Sequence, residues 1–193
     1  MARRLIFLTH PEVVIDPAVP VPRWHLKDSG IAKLRRFAAS GALAGVTAVW
    51  ASTECKAIET AGILAAALGL GVRVREDLGE NDRSATGFLP PPEFERMADA
   101  FFANPEASIR GWERAVDVQA RIVAAVRAVA AAETGAGNIL VAAHGAVGAL
   151  LRGHLMGAPI SRALDQPGAG CWFAVSLPAW RLATQDWQVL PTG

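Results

Sequence analysis

The chain has 193 residues, of which 52% are hydrophobic, with 19 Lys+Arg against 18 Asp+Glu for a net charge of +1. That length suits one domain able to bury a substantial core, and a near-neutral chain without a basic run lacks the electrostatic footprint of a nucleic-acid binder. The mean hydropathy of +0.27 comes from abundant Ala, and the longest charge-free stretches, Thr60 to Val72 and Thr134 to Leu151, do not read as membrane spans. Arg3 and Arg4 precede only four apolar residues, Leu5 to Leu8, too few for a secretory signal. A cytoplasmic location is therefore the default expectation. Cys55 and Cys171 form no CxxC or zinc spacing and read as isolated thiols.

Along the chain, short apolar runs alternate with stretches of helical period. Leu5 to Leu8 reads as a first strand, Gly30 to Ser40 as a helix and Val46 to Trp50 as a second strand. From Glu54 to Leu70, Ala57, Ala61, Leu64, Ala65 and Leu68 share one helical face before Gly69 and Gly71 end it. Val72 to Val74 is a third strand. The segment Ser84 to Gly111, with Pro90-Pro91-Pro92 and a short helix about Phe94 to Phe102, reads as an insertion that overhangs a site or packs on the surface. A long helix from about Trp112 to Glu133, a strand from Ile139 to Ala143 and a helix after His144 follow. Strands from Cys171 to Ser176 and from about Leu182 to Val189 read as a closing hairpin at a sheet edge. This order predicts a single α/β domain with a largely parallel sheet and helices on both faces, in which ligands sit beyond the carboxyl ends of the strands.

Those ends carry the chemistry. Strand one ends in Thr9-His10-Pro11-Glu12, strand two in Ser52-Thr53-Glu54-Cys55-Lys56 and the fourth in His144-Gly145, while Leu78-Gly79-Glu80-Asn81-Asp82-Arg83 follows the third. A single histidine at a strand end is usually structural; two at one edge of a parallel sheet, with carboxylates and a lysine nearby, form a reactive constellation. No HxxxH or HxH spacing supports a metal-hydrolase reading of His10, His144, Glu80 and Asp82. No nucleotide cofactor is indicated either, since Gly69/Gly71 and Gly135/Gly137 precede strands and no P-loop occurs.

The ordered set resembles the histidine phosphatase (phosphoglycerate mutase-like) superfamily. It rests on the apolar strand ending in His10, on Ser52 followed by Lys56 and Thr60-Ala61, on Leu78-x-Glu80, and on Ala143-His144-Gly145 running into Leu150-Leu151 and Leu155-x-Gly157-x-Pro159. The resemblance implies a three-layer α/β/α sandwich and metal-independent hydrolysis of a small phosphomonoester or phosphoanhydride through a phosphohistidine. By it, His10 is the nucleophile, His144 a donor to the transferring phosphoryl group, and Glu80 the general acid, with Asp82 the fallback acid. Ser52, Lys56, Thr9 and Gly145 fall at phosphate-binding positions, and helix N-termini after Ser52 and His144 add backbone donors. The implied partner is a small phosphorylated molecule; no assembly state follows from the sequence.

Two departures matter. The family hallmark begins Arg-His-Gly, whereas this chain reads Thr9-His10-Pro11, and the second phosphate arginine is here Lys56. Pro11 keeps the carbonyl that can accept from the His10 ring. Thr9 offers one neutral hydroxyl where an arginine gives a charge and two aligned donors. Arg3 and Arg4 lie roughly 20 Å from His10 at about 3.3 Å per residue, which leaves Arg23 and Arg83 to supply the missing charge or to stand as solvated loop cations. The departures also favour an alternative, a descendant of the fold that binds a phosphorylated or anionic ligand without turning it over.

Overall fold

The computed structural model describes residues 3–192. Seven strands form one sheet: β1 (Arg4–Thr9), β2 (Val46–Ala51), β3 (Val72–Val74), β4 (Asn138–Ala143), β5 (Cys171–Ser176), β6 (Arg181–Leu182) and β7 (Gln188–Val189). Five α-helices connect them: α1 (Asp28–Ala39), α2 (Cys55–Leu68), α3 (Pro91–Ala103), α4 (Ala115–Ala132) and α5 (Gly145–Met156). The spatial order is β3-β2-β4-β1-β5-β6, with β7 also pairing β5. β3, β2, β4 and β1 run parallel, and β5 runs antiparallel to β1. The expected single last strand is instead two two-residue strands, both antiparallel to β5. Pairing of β5 with both short strands divides the closing segment about a turn rather than leaving one long edge.

The period-two alternation of the central strands sorts their side chains between two cores. Leu5 and Phe7 of β1 and Ile139, Val141 and Ala143 of β4 pack with α3, α4 and α5 on one face. Ile6, Leu8, Leu140 and Ala142 pack with α1 and α2 on the other. Strands buried on both faces must be apolar throughout, which is why β1 and β4 read as unbroken hydrophobic runs. The result is the three-layer sandwich expected.

Helix ends follow local chemistry. α2 stops at Gly69, which takes φ +67° and whose amide closes on Ala65 and Ala66 carbonyls, and α5 stops the same way at Gly157. The segment 84–111 contains α3, whose Met97, Phe101 and Phe102 are buried in the larger core together with Trp112. No helix among the described residues is long and apolar enough to cross a membrane.

Phe173 of β5 anchors the larger core, stacked on Phe7 at 5.3 Å and edge-on to Trp187 at 5.0 Å. Truncation there leaves a cavity, so Phe173→Ala is expected to cost about 3–5 kcal/mol and to lower Tm by roughly 10 °C. Calorimetry reads this directly, and a shift below about 3 °C would contradict a central role for this ring.

Candidate active site

β1 and β4 are neighbours in register, Thr9 against Ala143, and the His10 amide donates to the Ala143 carbonyl at 3.1 Å. The residues that follow the two strands therefore emerge side by side. The rings of His10 and His144 lie 5.3 Å apart, centroid to centroid, at 68°.

His10 Nδ1 lies 2.9 Å from the Pro11 carbonyl oxygen. A carbonyl only accepts, so Nδ1 carries the hydrogen and Nε2 keeps its lone pair. Burial lowers the imidazole pKa to about 4, with the Lys56 charge adding to the effect and the Pro11 contact opposing it. His10 is thus neutral above that pH. Gly30 of α1 fits closely under this segment, since a Cβ there would come within 2.9 Å of the Glu12 carbonyl.

His144 is fully buried, with Nε2 2.7 Å from Ser52 Oγ and 3.3 Å from Glu54 Oε1. Burial holds its pKa well below the usual imidazole value against the opposing charge of Glu54. Glu54 is the carboxylate at the centre of the network. Its Oε1 accepts the Glu80 amide at 3.0 Å, and its Oε2 pairs with Lys56. Burial acts to raise the Glu54 carboxyl, but His144, Lys56 and the Glu80 amide outweigh it and hold it at about 2. Lys56 is 3% exposed, and its Nζ also donates to the Val21 carbonyl at 2.9 Å. Its charge is therefore largely cancelled by Glu54.

Glu80 accepts from the first amides of α5, Ala146 at 3.2 Å and Val147 at 3.2 Å. The helix N-terminus expected to face phosphate thus holds the carboxyl instead. Burial raises the Glu80 pKa, Glu54 adds to the rise, and Arg83 and the amides oppose it. Asp82 accepts from the Ser84 amide, which lowers its pKa, and it stands exposed on the rim, a poor place to store a proton. Among the described residues, no group of three or more His, Cys, Asp or Glu is placed to hold a metal ion.

The two loop arginines part company. Arg83 is half-buried, its guanidinium 5.1 Å over Phe94 and 5.7 Å over Trp112, close enough to bias both histidines and Glu80. Arg23 ends a short 3-10 turn, Val21–Arg23, and is exposed; its neighbours Val21 and Pro22 line the groove beside the site and Arg23 does not. Thr9 is also displaced from its expected role. Its hydroxyl is buried, accepts the Cys171 amide at 2.9 Å and lies 2.5 Å from Gln166 Oε1, so its one hydrogen is spent inside the protein. His25 pairs with Glu59 at the surface, and His154 is exposed on α5.

A groove of about 650 Å³ is lined by Glu54, Glu80 and Arg83; neither histidine lines it, and Glu54 is the link to His144. Pro17, Val19, Pro20, Val21, Pro22 and Phe88 give it an apolar wall. Asn81, 5% exposed, lines it with an Nδ2 that has no partner. Glu54, Asn81 and Gln166 were not singled out by the sequence. Glu54 had a visible signal, two residues before Lys56 at a strand-to-helix junction; Gln166 had none.

Comparison with known proteins bears on this geometry. The chain superposes on a mycobacterial glucosyl-3-phosphoglycerate phosphatase with a TM-score of 0.76 at 22% identity, over 100% of both chains. YhfR of Bacillus stearothermophilus matches with a TM-score of 0.79 at 21% identity over 96% of each chain. A putative alpha-ribazole-5'-P phosphatase of Escherichia coli matches at 0.75 and 18% over 99% of this chain and 100% of that one. The comparison with curated proteins gives no match. The model of the histidine phosphatase superfamily (branch 1) matches residues 21–183, a span that includes Glu80 and His144 and begins after His10. On that match and the shared fold, the chain belongs to the histidine phosphatase superfamily.

Proposed function

We propose that the protein is a metal-independent phosphatase that cleaves a small phosphomonoester or phosphoanhydride through a phosphohistidine at His10. The observation that carries this reading is the pair of neutral imidazoles 5.3 Å apart, one of them with Nδ1 tied to a carbonyl. His10 Nε2 then has a free lone pair for attack on phosphorus. As the P–N bond forms and the bond from phosphorus to the leaving oxygen breaks, Glu80 passes its proton to that oxygen. The Glu80 carboxylate next takes a proton from water, the water oxygen attacks phosphorus, and the electrons of the P–N bond return to Nε2. His144 and Arg83 bind the phosphoryl oxygens, Ser52 orients His144, and Lys56 stays paired with Glu54 behind them.

The apolar wall with Asn81 beside it suits a small substrate whose body is largely uncharged, since Glu54, Glu76 and Asp82 of the groove would repel an anionic one. The names of two similar structures, a glucosyl-3-phosphoglycerate phosphatase and an alpha-ribazole-5'-P phosphatase, support a small phosphorylated substrate. From the segment 84–111, Ser84, Gly87 and Phe88 line this groove, while its helix α3 is packed into the larger core. A second reading, binding without turnover, is favoured by the scarcity of free cations: Lys56 is paired and Thr9 is turned inward.

Trapping separates the two. Brief incubation with a labelled acyl phosphate or aryl phosphate, quenched in base, is expected to leave acid-labile label on His10 and none on His10→Ala. Hydrolysis that survives His10→Ala without label would contradict the mechanism, and label-free wild type without hydrolysis would favour the binding module.

The pH dependence follows from the two shifts. His10, with a pKa lowered to about 4, becomes competent as pH rises through that value, and Glu80, raised by burial from its ordinary value, keeps its proton to higher pH than a free carboxyl and then loses it. The rate with an alkyl phosphate is therefore expected to fall on the alkaline side, and Glu80→Gln to lower it by about 10²–10⁴-fold. With p-nitrophenyl phosphate, whose phenolate leaves unprotonated, both effects should be much smaller. Equal losses with the two substrates would remove Glu80 from the acid role.

A further inference from the structure

Gln166 lies in the loop between α5 and β5, far in sequence from either histidine, yet its carboxamide touches the residue before one and the residue after the other. Oε1 is 2.5 Å from the hydroxyl of Thr9, which precedes His10. Nε2 lies against Gly145, which follows His144, so closely that a Cβ on that glycine would come within 2.7 Å of it. Because β1 and β4 are adjacent and in register, the carboxamide spans the carboxyl ends of the two strands that carry the histidines.

Its orientation is set by the Thr9 hydroxyl. That oxygen already accepts the Cys171 amide at 2.9 Å, and a separation of 2.5 Å fits O–H···O better than N–H···O, whose usual distance is about 2.9–3.0 Å. The Cys171 carbonyl at 3.1 Å is a second acceptor for the hydroxyl, but the much shorter contact is to Oε1, so Thr9 donates there and the NH₂ end is left at Gly145. The loop that carries Gln166 is fastened: Asp165 Oδ1 accepts the Gln166 amide at 2.8 Å, the Leu164 carbonyl accepts Trp187 Nε1 at 2.9 Å, and Arg162 pairs with Glu95 and Asp99 of α3. A donor held this firmly is oriented before any ligand arrives.

We propose that Gln166 Nε2 binds a phosphoryl oxygen, with Thr9 aiming it. This assignment rests on the phosphatase reading above and adds to it a binding residue supplied from another part of the chain. A charged arginine reaching from the residue before the nucleophile is replaced by a neutral amide that a threonine in that position holds in place. The side chain of Gly145 must be absent for the amide to fit, which gives that glycine a role in shaping the oxyanion site.

Vanadate, a mimic of the phosphoryl group, tests the proposal by calorimetric titration of the full chain. Gln166→Met keeps the length and removes the donor, and is expected to weaken vanadate binding about 10- to 100-fold, the usual range for a hydrogen bond to a charged group, with Tm within a few degrees of wild type. Gln166→Glu is expected to bind more weakly still at neutral pH and to recover as pH falls and the acid regains a hydrogen to donate, a recovery that a packing defect would not show. Wild-type affinity in both variants would overturn the role of Gln166 while leaving the phosphatase reading intact. Failure of the wild-type protein to bind vanadate would overturn both.

Discussion

β1 and β4 run side by side at the middle of the sheet, and their register decides what the protein can do. Thr9 opposite Ala143 means that His10 and His144 leave the sheet at the same height, joined by the His10 amide on the Ala143 carbonyl. A slip of one residue would send every side chain of β1 into the wrong core, exchanging Leu5 and Phe7 with Ile6 and Leu8. The placement of the two histidines is thus fixed by apolar burial on two faces of the sheet.

Placing two imidazoles at the edge of such a core has an electrostatic consequence. Both are pushed toward the neutral form by burial, which suits the nucleophilic role proposed for His10 and would leave a bound phosphoryl group few charges to meet. Lys56 is nearly cancelled by Glu54, and Arg83 lies over Phe94 and Trp112. Donors of low or no net charge, held rigidly, must then do much of what free cations do elsewhere. Rigid dipoles in a water-poor site are effective because they need no reorganisation as charge shifts. The same scarcity makes Glu54 a determinant of the site: it steadies His144 and anchors the Glu80 amide while removing the charge of Lys56.

The order of strands and helices was legible because hydrophobic period is local: Ile139 to Ala143 must be apolar at every position to be buried on both faces, and Gly69 and Gly157 mark helix ends through their left-handed backbone. That His10 and His144 lie together is legible for a related reason, since the topology brings the ends of adjacent parallel strands side by side. What escaped were contacts that no local pattern encodes. Thr9 and Gln166 are 157 residues apart, and whether Arg23 or Arg83 entered the site depended on a short 3-10 turn and on an aromatic platform built partly from Trp112. The closing strands are shorter than the sequence predicts because a pair of two-residue strands and one irregular strand present the same composition.

The chemistry assigned to His10 depends on one state of one ring, neutral with its hydrogen on Nδ1. Imidazole nitrogen and carbon resonances of the full chain, followed by NMR from pH 3 to 8, measure that state without substrate or turnover. His10 is expected to stay uncharged until the pH falls to about 4 and to show the Nδ1–H tautomer throughout the neutral range. A His10 that titrates near 6.5, or that carries its hydrogen on Nε2, would contradict it.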